Sequence, residues 1–149
     1  MKHFSRRSPF ATLAVTLLLA LLATTARAEM RQYGSFEVHY SVFSSSFLQP
    51  GIAAAYGIVR AKDRALINIA VRRGTGDAAT VSALPSGTRG DLIHKTPLEF
   101  REIREEQAVY YIAEFGFVSG ETQYFDIAIQ PAGEARPLVL QFNHVLYAD

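Results

Sequence analysis

The sequence predicts an all-β domain: a single antiparallel β-sandwich of immunoglobulin-like type, with about seven strands and one short crossover helix. Two observations carry the prediction. Apolar residues recur with a period of two and almost never with a period of 3.6. Turn-forming residues punctuate the chain every 8 to 15 residues, the spacing of a sandwich.

The elements follow in order. Phe36, Val38, Tyr40 and Val42 alternate with Glu37, His39 and Ser41, an amphipathic strand. After Gln49, Pro50 suits the first turn of a helix and Gly57 its end, so 52–56 predicts one or two helical turns. This helix is expected to cross from the first strand to the second and cap an open end of the sandwich. Residues 65–71 are almost continuously apolar, with Ile67, Ile69 and Val71 on one face and Leu66, Asn68 and Ala70 on the other: a central strand. Residues 72–77 read as a turn, 80–84 as a short return strand, and 85–91 as a loop rich in Pro and Gly. Residues 98–104 form the next strand, with Glu105-Glu106 as its turn. Val109, Tyr111, Ala113, Phe115 and Phe117 share one face of a following strand, and Phe125, Ile127 and Ile129 one face of another. A loop over 131–137 leads to a last strand carrying Leu138, Leu140, Phe142, His144 and Leu146.

The N-terminus reads as an export signal of the Sec type. Lys2, Arg6 and Arg7 precede an apolar run over 10–22, too short for a comfortable membrane span, and Ala26-Arg27-Ala28 is a small-x-small cleavage site. Ser5-Arg6-Arg7 resembles a twin-arginine signal, but Phe10 comes a residue too late and after a proline. The expected organisation is a signal peptide over 1–28 and a sandwich domain over 29–149, delivered to the periplasm or secreted, with no membrane span after cleavage. A mature chain of about 120 residues buries roughly two-thirds of its unfolded surface and needs no staple.

Charge and composition exclude several functions. Four of the 15 basic residues (Lys2, Arg6, Arg7 and Arg27) lie in the signal, which leaves 11 against 14 acidic residues, a net charge of −3. That is not the electrostatic footprint of a nucleic-acid binder. With no cysteine there is no disulfide, thiolate metal site or cysteine nucleophile. No cofactor is implied.

Few residues suggest chemistry. Glu37-x-His39 puts two metal-ligating side chains on one strand face, and His144 on the last strand is the third candidate ligand, if first and last strands are neighbours. Ser44-Ser45-Ser46 lacks a Gly-x-Ser-x-Gly elbow and reads as a polar strand end bonding local backbone. No catalytic residue is assigned. Asn68, an amide between isoleucines, must be hydrogen-bonded if buried; it either fixes a loop or the short helix, or touches a ligand. Arg89-Gly90-Asp91 matches an integrin-binding tripeptide, a match that chance in a glycine- and charge-rich loop explains. Glu102, Glu105, Glu106 and Glu114 are interleaved with Arg101 and Arg104, which predicts cross-strand charge pairs rather than a Ca²⁺ loop. In the pairs Tyr110-Tyr111 and Tyr124-Phe125 one ring must leave the core face, so Tyr110 and Tyr124 serve either cross-strand packing or a recognition surface.

Several runs resemble a known family. These are Tyr33-Gly34-Ser35-Phe36-Glu37-Val38-His39-Tyr40, Ser45-Ser46-Phe47-Leu48-Gln49-Pro50, Ala55-Tyr56-Gly57-Ile58, Leu66-Ile67-Asn68-Ile69, Leu98-Glu99-Phe100-Arg101-Glu102-Ile103 and Tyr110-Tyr111-Ile112-Ala113-Glu114-Phe115. Together they are similar to an uncharacterised family of small exported proteobacterial proteins, domain of unknown function 4426. The resemblance spans essentially the whole mature chain. It implies one exported domain and transfers no activity or catalytic residue. The family pattern carries an asparagine near Ser44, where this chain has serine. The motif residues His39, Tyr40, Ser46, Tyr56 and Asn68 are expected to cluster at one end of the sandwich.

The leading functional expectation is a non-catalytic binding module that holds an envelope protein through a sheet edge or an aromatic face. The alternative is a metal-dependent protein or enzyme built on Glu37, His39 and His144, and a third is a purely structural accessory. The sequence leaves the oligomeric state open.

Overall fold

The computed structural model describes residues 28–74 and 79–148. The expected signal peptide, up to residue 27, and residues 75–77 of the turn expected over 72–77 lie outside the described residues.

Two antiparallel sheets pack face to face. The first has the order β1-β2-β3-β7-β6, with β1 Glu29–Tyr33, β2 Phe36–Ser44, β3 Arg64–Arg73, β7 Ala108–Gly116 and β6 Arg101–Glu105. The second has the order β5-β4-β8-β9, with β5 Lys95–Pro97, β4 Ala83–Gly90, β8 Thr122–Pro131 and β9 Leu138–Val145. Between β2 and β3 lie a 3₁₀ turn, Ser45–Phe47, and one short helix, α1 (Pro50–Ala55).

The core is the space between the inward faces. Val38, Tyr40, Ile67, Ile69, Val71, Tyr111, Ala113 and Phe115 of the first sheet meet Phe125, Ile127, Ile129 and Leu140 of the second. All are buried, as the period-two pattern requires. Phe125 stacks on Phe142 with centroids 4.6 Å apart and meets Phe115 edge-on at 5.6 Å. Phe142 in turn lies 4.6 Å from Tyr40. A chain of four rings therefore runs from β7 through β8 and β9 back to β2, crossing the inter-sheet space twice.

The structure differs from the expected layout in three places. It has nine strands among the described residues rather than about seven. The segment expected as a loop over 85–91 is mostly strand: β4 is bonded to β8 from Ala83↔Pro131 to Gly90↔Tyr124. Proline is tolerated there for a specific reason. The Gly87 carbonyl accepts from Leu98 N–H, so its backbone groups face away from β8. Alternation puts the missing N–H of Pro85 on that same side, where β5 does not reach, and no ladder bond is lost. Of the single strand expected over 98–104 only 101–104 is strand, because residues 98–100 carry the chain from β5 in the second sheet to β6 in the first.

The helix also lies elsewhere than expected. It covers the outer face of the first sheet rather than an open end. Leu66 points outward from β3 and needs a lid; Leu48 and Ala53 bury it, with Phe43, Ile52 and Ile58 around them. Pro50 sits in the first turn and Gln49 is the N-cap.

Candidate functional site

The alternation of β2 decides where the predicted residues go. Tyr40 points inward, and its hydroxyl donates to Glu29 Oε2 at 2.7 Å. Burial, reinforced by Glu29, pushes that phenol up to about 12. Glu37 and His39 point to the outer face, with His39 Nε2 3.1 Å from Glu37 Oε2. Across the β1–β2 hairpin Met30 is in register with His39 and Gln32 with Glu37.

His144 does not join them. It alternates with Leu140 and Phe142 on the inward face of β9, opposite Gln123, whereas Glu37 and His39 face out from the other sheet. Among the described residues no three His, Cys, Asp or Glu side chains gather closely enough to hold a metal ion. The strand expected as the first, now β2, does not pair with β9, which lies in the other sheet; it is the unexpected β1 that touches β9, its Tyr33 hydroxyl donating to the Val139 carbonyl at 2.7 Å. His39 on the outer face of β2 and His144 on the inner face of β9 therefore lie on opposite sides of the first sheet. Burial lowers the His144 imidazole below its usual 6.5, and the charge of Glu29 opposes this. The unfolded chain therefore takes up that proton more readily than the folded one. Stability is expected to fall as the pH drops below about 6.5, and His144→Gln to flatten the slope, read by denaturant unfolding on both sides of that pH.

The other motif residues spread over the outer face and the crossover. Ser46 Oγ lies 2.9 Å from Ser44 Oγ, and Ser44 Oγ accepts from Ser46 N–H, so this serine run bonds locally as expected. Ser45 Oγ donates to the Ala61 carbonyl at 3.2 Å and accepts from its N–H at 3.0 Å. Tyr56 ends α1, and its hydroxyl donates to Glu105 Oε1 at 2.6 Å. That bond comes first, and burial second, in pushing the phenol up to about 12. Asn68 stands between Ser41 and Ile112 on the outer face. Its Oδ1 is buried without a hydrogen-bond partner, so it does not tie down the helix or a loop as expected. Tyr110 is half-buried on the outer face of β7, and Tyr124 is exposed on the outer face of β8. The two belong to different sheets and form no common aromatic surface.

Of the four glutamates singled out, Glu114 pairs across the β6–β7 strands with Arg101 at 3.1 Å, while Glu102 pairs with Arg104 of its own strand at 2.5 Å. Arg89 turns into the sandwich, 5.2 Å from the centre of the Phe115 ring, and donates to Gln123 at 3.0 Å. Asp91 folds back to accept from the N–H groups of Ile93 and His94. The tripeptide over 89–91 is thus not displayed as an adhesive loop. Beside Arg89 lies a shallow cleft of about 310 Å³, lined also by Asp63, Glu121 and Gln123.

The feature that residue-by-residue reading missed is an edge. β9 ends the second sheet, bonded to β8 on one side only. Because the Val139 carbonyl accepts from Tyr33, its backbone groups point away from β8. Alternation then directs the N–H and C=O of Gln141 and Asn143 to the same free side. β9 carries no Lys, Arg, Asp or Glu over its eight residues. The other edges are defended: Glu29 and Arg31 on β1, Lys95 and Pro97 on the three-residue β5, and four charged residues on β6. A signal for this was present in the uncharged run over 138–145, but only the strand order reveals that its edge, occupied at Val139 by the Tyr33 hydroxyl, is open at Gln141 and Asn143.

Comparison with known proteins places this fold. The family model "Domain of unknown function (DUF4426)" matches residues 30–149. A DUF4426 family protein from Pseudomonas aeruginosa PAO1, solved by crystallography, is 37% identical, with a TM-score of 0.70 over 82% of this chain and 96% of that one. FetP from uropathogenic Escherichia coli strain F11, expressed in the periplasm, is similar at 11% identity, with a TM-score of 0.57 over 82% and 95% of the two chains. A copper-bound variant of the same FetP gives 11% and 0.58 over 83% and 97%. The FetP likeness is one of fold. No curated protein matches the chain. Among the described residues no helix is long and apolar enough to cross a membrane. With its family model matched from Met30 to the last residue, the chain belongs to the DUF4426 family, a domain of unknown function.

Proposed function

We propose that the protein is an exported, immunoglobulin-like periplasmic module that binds an envelope protein non-catalytically, by taking an extended segment of it as an added strand along β9. The observation that carries this is the uncharged, one-sided β9 edge. Unpaired N–H and C=O groups on a long edge are a template for strand addition, and folds that do not use such an edge usually shorten or charge it. Three of the four edges here are so treated. The exposed Val139, Gln141 and Asn143 side chains on the outer face would meet alternate residues of the incoming strand. Export is supported by the basic stretch, the apolar run and the cleavage triplet. β1 begins at Glu29, so cleavage after Ala28 removes no residue of the fold. A metal-dependent role resting on Glu37, His39 and His144 has less support, since His144 faces the interior.

The test is in-cell photocrosslinking from a reactive residue placed at Asn143, with Ser86 on the far strand as control. One dominant envelope protein is expected to crosslink from 143 and not from 86. Gln141→Pro is expected to abolish the product, because it removes a donor from the free edge and obstructs a neighbouring strand. The same variant is expected to stay folded, as that N–H makes no bond to β8. No crosslink, a crosslink that survives Gln141→Pro, or a product containing only a second copy of the chain would each overturn the reading.

A further inference from the structure

We propose that Met30, His39 and Glu37 form a binding site for a soft monovalent metal ion, copper(I) above all, on the outer face of the β1–β2 hairpin. This goes beyond the strand-docking reading and shares no residue with it.

The placement follows from the pairing register. Met30 lies directly across from His39, and Glu37 is two residues from His39 on the same strand. All three side chains therefore share one face. Directly paired residues hold their Cβ atoms about 4.5–5.5 Å apart, within reach of one ion for a flexible thioether and an imidazole. Glu37 Oε2 already sits 3.1 Å from His39 Nε2. On the other side of His39 the register neighbour is Ala70, whose methyl group leaves the imidazole room to turn toward Met30. The site is accessible: Met30 is 51% exposed and the His39 side chain 33% exposed.

The donor set selects the ion. Met30 is the only sulfur-bearing side chain among the described residues, and a thioether is a soft ligand that favours copper(I) over harder cations. The imidazole suits copper as well. Glu37 either ligates or orients the ring, a role that carboxylates commonly play beside metal-bound histidines. Arg72 is in register with Glu37 on β3, and its charge opposes that of the carboxylate. A site with so little net negative charge is poorly matched to a dication.

The test uses the chain purified after export, titrated under anaerobic conditions with copper(I) against a chromophoric copper(I) chelator, and separately with Zn²⁺. One copper(I) per chain is expected, held more tightly than Zn²⁺. Outer-shell changes alone cost metal sites about 10- to 100-fold in affinity. Removing a ligand is expected to cost at least as much, so Met30→Leu should weaken copper(I) about tenfold or more and His39→Ala about 100-fold. X-ray absorption should show a sulfur scatterer in the parent and none in Met30→Leu. Both changes are at accessible outer-face positions, and an unchanged melting curve verifies the fold. Failure to retain copper(I), a sulfur signature that survives Met30→Leu, an affinity indifferent to His39→Ala, or tighter binding of Zn²⁺ would overturn the assignment.

Discussion

Replacing Phe125 by alanine is expected to cost about 3–5 kcal/mol, a large share of the roughly 5–15 kcal/mol by which folded domains are commonly stable. Phe125 is 2% exposed and central to the ring chain that links the sheets. It stacks on Phe142 at 4.6 Å and meets Phe115 of the opposite sheet at 5.6 Å. Truncation removes transfer free energy, leaves a cavity that the two neighbouring rings cannot collapse into, and forfeits two aromatic pairs. Phe125→Leu keeps most of the volume and should cost under about 2 kcal/mol. Denaturant unfolding of the two variants checks this. A loss under about 1 kcal/mol for Phe125→Ala would mean that the two sheets are not held together at this point.

Gly87→Ala is expected to be nearly as damaging, for the opposite reason. A Cβ at Gly87 would overlap the Asp126 carbonyl oxygen and come within 2.8 Å of Ile127 Cα. These are backbone atoms of the central strand β8 and cannot rotate away, so β4 must separate from β8. A cost of about 3 kcal/mol or more, or about 10 °C in melting temperature, is the expected result. Ser86→Ala, one residue away and exposed, should be close to neutral. If Gly87→Ala melts within about 2 °C of the parent, the β4–β8 register is wrong.

Much of the fold is legible because the core strands announce themselves. Val38, Tyr40 and Val42, then Ile67, Ile69 and Val71, alternate so regularly that a one-residue slip would expose them all. The elements that escape a sequence reading lack this signature. β1 reads Glu-Met-Arg-Gln-Tyr, and of the residues on its inward face, Glu29, Arg31 and Tyr33, only Tyr33 is an aromatic packed against the core, so nothing in its own residues demands a strand. β4 carries a proline and a glycine that are ordinary loop signals. Each is explained only by its neighbours: Pro85 by an absent partner, Gly87 by the closeness of β8.

The candidate site is less legible, because it depends on which strands meet and on which face. Glu37 and His39 share a face by local spacing, and that much is readable. That His144 faces the other way depends on β9 joining the second sheet, which only long-range pairing decides. Met30 gives no signal of its own, because its importance rests on the β1–β2 register. Asn68 is expected to find a partner, and its carbonyl oxygen has none. The edge character of β9 is a property of strand order, and no single residue encodes it.

The most direct test of the account is amide hydrogen exchange of the isolated protein, followed by NMR along β9. If the edge is free, the Gln141 and Asn143 amides exchange rapidly while Leu140 and Phe142, bonded into the ladder with β8, are strongly protected. Uniform protection along all of β9 would contradict it, since the edge would already be covered and unable to accept a strand.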